Sequence, residues 1–111
     1  MKKINKIKKI KLKGKTIEAE VCDTLWKRAR GLMFKKKSKP LLFVFKKPTR
    51  QSIHSLFCKP FFAIWFFNGK IIEEKVVKPF SFSVKPKTSF SQLIEIPLKD
   101  NNKLFENIRR E

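Results

Sequence analysis

FFAIWFFNGKII, residues 61–72, decides the fold. Its first seven residues are apolar without a break, which suits a strand covered on both faces. The wider greasy run, Phe57 to Phe67, contains Lys59 and Pro60 and is too short to cross a bilayer. Asn68-Gly69 follows at once. Both residues tolerate positive φ, as a two-residue type I′ hairpin requires. The turn predicts that Phe67 faces Lys70, Phe66 faces Ile71 and Trp65 faces Ile72. A hairpin this apolar needs further strands around it.

Working outward, strand signals recur on both sides. Upstream, Leu41 to Phe45 (LLFVF) is apolar on both faces, and Ile53 to Phe57 reads as a further strand. Between them Lys46 to Arg50, with Pro48, reads as a basic turn. Thr16 to Cys22 alternates Ile17, Ala19 and Val21 with Glu18 and Glu20, one face in and one face wet. The opening MKKINKIKKIKLKGK carries Ile4, Ile7 and Ile10 at three-residue spacing, then Ile10 and Leu12 in alternation. It fits either a basic amphipathic helix or an edge strand over Ile7 to Leu12; the strand is favoured, because lysines on an edge resist pairing with other chains. Gly14-Lys15 reads as the turn that follows. Downstream, Pro79 and Pro86 bracket a looser stretch before Phe90 to Ile96 (FSQLIEI), the last strand. Asp23-Thr24 can cap a short helix carrying Leu25, Ala29 and Leu32 on one face, stopped by Gly31. A second short helix is expected from Asn101 onward.

The expected fold is therefore mainly β, a small sandwich or barrel-like domain with one short helix. Its parts are a basic N-terminal segment over residues 1–15, a β domain over 16–98 and a C-terminal segment over 99–111. A chain of 111 residues has room for one modest core.

Charge opposes that core. Lys and Arg number 28 against 9 Asp and Glu, a net charge of +19. Residues 1–15 hold eight Lys and no carboxylate, and no acidic residue stands between Asp23 and Glu73. Such a stretch cannot neutralise itself locally. It forms a solvated surface or meets a polyanion, either nucleic acid or an acidic membrane surface, without sequence preference. No transmembrane or targeting segment is visible, so a cytoplasmic setting is expected. Cys22 and Cys58 read as reduced thiols, and with one His they build no metal site.

The block Arg28-Ala29-Arg30-Gly31-Leu32-Met33-Phe34 is followed by LLFVF, SIHSLFCKPFFAIWFF, the Asn-Gly hairpin, IIEEKVVKPF and QLIEIP. That order resembles domain of unknown function 192 (DUF192), also called uncharacterised protein family UPF0127, over about residues 16 to 98. The resemblance implies a compact β sandwich or barrel-like domain with one short helix. It brings no catalytic residue and no cofactor. Three departures stand out. Phe62 occupies the place where members usually carry an Asp, so any site relying on that Asp is missing. Lys39-Pro40 stands near the usual Gly-Met pair. Lys99 to Asn102 replaces a Gly-rich turn.

Catalysis finds little to work with. His54 and Cys58 sit four residues apart, roughly 13 Å along a strand by the rise per residue, too far for a nucleophile and its base. Glu73 and Glu74 point to opposite faces and form no carboxylate pair; one of them is expected to offset Lys75. Phe-rich strands interleaved with Lys invite base stacking, but apolar character on both faces suits burial better. Two readings remain. The first is a non-catalytic binding or accessory domain meeting anionic partners through its basic surface, with Arg28, Arg30, Lys35, Lys36, Lys37 and His54 as candidate binding residues. The second is a small thiol-dependent enzyme using Cys22 or Cys58 with His54. No cofactor and no metal are called for by either.

Overall fold

A computed structural model of the chain describes residues 6–22, 39–53, 60–81, 83–98 and 106. Six strands form one sheet: β1 (Ile7–Leu12), β2 (Lys15–Cys22), β3 (Leu41–Thr49), β4 (Phe61–Phe67), β5 (Lys70–Val77) and β6 (Phe90–Pro97). Their spatial order is β1-β2-β3-β6-β4-β5. All neighbours are antiparallel except β2 and β3, which run parallel from the Glu20–Leu41 pair to the Cys22–Phe43 pair. The fold is mainly β, as the alternation and turn signals require. The predicted helix over Asp23 to Gly31 and the strand beyond Ile53 lie outside the described residues, as does the C-terminal segment apart from Glu106.

Two type I′ hairpins frame the sheet. Lys13 (φ 50°) and Gly14 (φ 81°) join β1 to β2, one residue earlier than the expected Gly14-Lys15 because Lys15 already pairs with Leu12, and Asn68 (φ 51°) and Gly69 (φ 75°) join β4 to β5. The second gives the predicted pairs Phe67–Lys70 and Phe66–Ile71. The third prediction fails by one residue: Trp65 faces Glu73 rather than Ile72, because a bulge intervenes. A bulge inserts one unpaired residue and strengthens the local twist, and neither effect shows in residue alternation. β3 also runs on to Thr49 through the segment read as a basic turn. Its register against β6 shifts between Val44 and Thr49, which frees Pro48 from donating to that ladder.

β4 and β6 occupy the centre, and both faces of the sheet are covered there. Phe61 to Phe66 are all 7% exposed or less. One face carries Leu12, Ile17, Leu42, Phe62, Ile64, Ile94 and Ile96. The other carries Leu41, Phe43, Phe61, Trp65, Phe90 and Leu93. Edge-to-face contacts of Phe90 with Phe45 (5.3 Å) and with Trp65 (6.5 Å) order the second cluster. The Ile53–Val84 bridge, bonded in both directions, lies beside it. A radius of gyration of 13.0 Å is that of one compact domain of this length.

The sheet curls about its first face. Lys13, in the β1–β2 turn, reaches the Glu74 carboxylate of β5 at 2.9 and 3.0 Å. Those residues belong to opposite ends of the strand order, yet β1 and β5 share no ladder. Among the described residues the result is a barrel with an open seam between β1 and β5.

Candidate functional site

Arg28, Arg30, Lys35, Lys36, Lys37 and His54, together with Cys58, lie outside the described residues. Cys22 is described. It ends β2 as a buried thiol, 6% exposed, within the second core cluster. A thiol so placed is shielded from a soluble substrate.

The described residues gather at the seam instead. A pocket of about 250 Å³ opens between β1 and the tip of the β4–β5 hairpin. Its floor is Leu42 and Ile94, its wall Phe66 and Gly69, and its one uncharged polar side chain is that of Gln92. The fourth side is β1 itself, from Lys8 to Lys11. Strand alternation explains the composition. Lys8 stands opposite Ala19 and Ile10 opposite Ile17, so Lys8 shares the concave face with Ile10 and Leu12. Lys9 and Lys11 point to the convex face. An apolar floor thus meets a cationic rim.

The rim is electrostatically unbalanced. Lys6, Lys8, Lys9 and Lys11 are all exposed, and none forms an ion pair among the described residues. The nearby acids are engaged. Glu74 holds Lys13, so the offset of Lys75 that the sequence suggests for one of Glu73 and Glu74 is not seen at Glu74. Glu73, on the opposite face as predicted, accepts the backbone N–H of Lys87 at 3.0 Å. Glu18 faces Lys39 at 3.6 Å.

A second polar feature escaped the sequence reading. Glu95 sits in β6 between Leu41 and Ala63, only 5% exposed. Burial pushes its carboxyl up to about 8, so it is neutral at physiological pH. The neighbouring pair on the same face is Leu93 with Trp65, whose indole Nε1 is buried with no hydrogen-bond partner among the described residues. A signal for Glu95 was available in QLIEI: alternation puts this carboxylate on the Leu93 face of a strand whose other face is also apolar. Among the described residues no three His, Cys, Asp or Glu converge on a metal position. Nor is any described helix long and apolar enough to cross a membrane.

A family model, DUF192, described as "Uncharacterized ACR", matches residues 7–104. A UPF0127 protein of Pyrococcus furiosus is 37% identical over 91 residues, covering 77% of this chain and 78% of its own length. A UPF0127 protein of Pyrococcus horikoshii is 32% identical over 98 residues, covering 85% and 82%. Two crystal structures share the fold. One is a protein of unknown function from Novosphingobium aromaticivorans, with TM-score 0.68 and 15% identity over 81% of this chain and 69% of that one. The other is a proposed transcription regulator from Sinorhizobium meliloti, with TM-score 0.72 and 16% identity over 89% and 84%.

Proposed function

The chain belongs to the DUF192 family, and from the charge and geometry of the seam we propose that it is a binding or accessory domain for anionic partners. One observation carries the reading. Four exposed lysines without an ion pair among the described residues, Lys6 just before the edge strand β1 and Lys8, Lys9 and Lys11 within it, stand beside a pocket with an apolar floor. Lysines there add little to stability, since exposed charge contributes little and like charges repel. A partner that supplies carboxylate or phosphate gains their attraction without first breaking an ion pair.

The sequence candidates Arg28, Arg30, Lys35, Lys36 and Lys37 extend the same proposal by their charge, with His54 as the remaining candidate. Nucleic acid and acidic membrane surfaces stay within its scope, with a cytoplasmic setting. The thiol-enzyme alternative has no described observation in its favour, given the burial of Cys22.

The test is retention of the whole chain by mixed-sequence RNA, duplex DNA and vesicles containing phosphatidylserine, at low and at moderate salt. Binding to at least one probe is expected, weakening steeply as salt rises. Replacing Lys6, Lys8, Lys9 and Lys11 together by Gln should weaken it about tenfold or more, at roughly 1 kcal/mol or less for each exposed charge. Absence of binding to every anionic probe at low salt removes the proposal.

A further inference from the structure

We propose that the open seam between β1 and β5 accepts an extended acidic segment of a partner protein as a seventh strand; this rests on the anionic-partner reading and names its ligand. The argument begins with strand direction. Following the ladders from β1 through β2, β3, β6 and β4 to β5, the direction reverses at every step except β2 to β3. β1 and β5 therefore run the same way. They also keep step: Lys13 bonds Glu74, 61 residues on, and Lys8 lines the pocket with Gly69, again 61 residues on. Two parallel edges flank one gap. A single strand antiparallel to both would fill it.

The β1 edge has backbone groups to offer. In a two-residue hairpin the closing pair, Leu12–Lys15, is hydrogen-bonded, and bonded pairs then alternate along the ladder. The Val21 N–H donating to the Lys6 carbonyl at 2.8 Å confirms that even-numbered residues of β1 face β2. The N–H and C=O groups of Ile7, Lys9 and Lys11 consequently point away from β2, toward the seam. Nothing in the described sheet pairs with that side of β1. Each edge strand also leaves one apolar side chain exposed, Ile7 of β1 at 45% and Val76 of β5 at 42%.

Alternation then specifies the partner. A strand in the seam turns one set of side chains inward, onto Leu42, Phe66 and Ile94. It turns the other set outward, beside Lys9 and Lys11. The fitting segment alternates apolar and acidic residues. A second copy of this chain is a poor occupant, since two bodies of +19 repel. The Lys13–Glu74 bond closes one end of the seam, so entry is from the Lys8–Gly69 end.

Strand addition is distinguishable from plain charge attraction because it uses the backbone. The probe is a ten-residue peptide alternating Val and Glu, titrated into the full chain and followed by amide NMR. Binding is expected with slowed exchange of the Lys9 and Lys11 amides. A peptide of the same sequence with alternate N-methylated residues keeps the charge and loses the donors. It should bind about tenfold or more weakly, as for two or three lost hydrogen bonds. On the protein, Lys9→Pro removes an outward N–H, whereas Lys9→Gln removes only charge. Proline should reduce peptide binding much more than Gln, in variants whose amide spectra show the β2 pairing intact. Equal affinity of the two peptides overturns the inference. So does peptide silence alongside binding of RNA or vesicles, an outcome that leaves the anionic reading standing. Silence toward every probe removes both.

Discussion

β4 and β1 are both strands of one sheet, and they could hardly differ more. β4, FFAIWFF, carries no charge and pairs on both sides, with Phe61 to Phe66 at most 7% exposed. β1, IKKIKL, pairs on one side only, and among its residues Leu12 alone is fully buried. Apolar burial is the dominant favourable term in folding, so stability concentrates in β4 and its neighbour β6. β1 contributes less to stability and retains free backbone, free lysines and an adjoining pocket. Centre and edge divide the labour of holding the fold and meeting a partner.

The sharpest way to break this contrast is to truncate one large side chain in each strand. Trp65→Ala should cost about 3–5 kcal/mol in urea unfolding, because it empties a fully buried site among Phe61, Phe90 and Leu93. Ile7→Ala at the edge should stay within about 0.5 kcal/mol. Comparable losses would mean that the edge carries structure as well.

A subtler probe lies inside the centre. The native Glu95 carboxyl holds its proton up to about pH 8, whereas in the unfolded chain it ionises near 4.5. Between those values the native state binds the extra proton, so stability falls as pH rises through that window. Glu95→Gln keeps the shape without the ionisation. It should flatten this part of the profile, with a difference on the order of a few kcal/mol between pH 5 and pH 9. Wild-type and variant unfolding curves that track each other across that range would show that the carboxyl is not held neutral.

The smallest effect is expected where the sheet curls closed. A double-mutant cycle with Lys13→Ala and Glu74→Gln should give a coupling of about 0.2–1 kcal/mol that vanishes at high salt. Their side chains, 18% and 30% exposed, keep some access to water. A larger coupling would make the closed end of the seam a structural latch rather than a surface contact.

How much of this was legible follows from range. Asn68-Gly69 announced its hairpin because the turn needs positive φ at two adjacent positions, a property of those residues alone. Alternation placed Thr16 to Cys22 for the same local reason. The Lys13–Glu74 contact was invisible, since it depends on the accumulated curl of six strands rather than on any neighbour in sequence. The bulge opposite Trp65 was equally hidden: Ile71 and Ile72 both suit a paired position, and only twist decides between them. The pocket combines residues from β1, β3, β4 and β6 with the hairpin turn, so no window of sequence could show it. Composition revealed the surplus of lysine, and the alternation of Ile10 and Leu12 with lysines placed part of it on the edge strand Ile7 to Leu12. The candidate residues Arg28, Arg30, Lys35, Lys36, Lys37 and His54 remain sequence-level proposals.

The position of β6 bears on how the chain assembles as it is made. It is the last of the described strands in sequence, yet it lies between β3 and β4 in space. Before residues 90–97 are synthesised, the β1-β2-β3 unit and the β4–β5 hairpin have no strand joining them. Each presents a raw border where β6 belongs, at Leu41 to Val44 on one side and Phe61 to Phe66 on the other. The nascent molecule must shield those two borders from other chains until its last strand threads between them, so Phe90 to Pro97 acts as the keystone that ends its vulnerable interval.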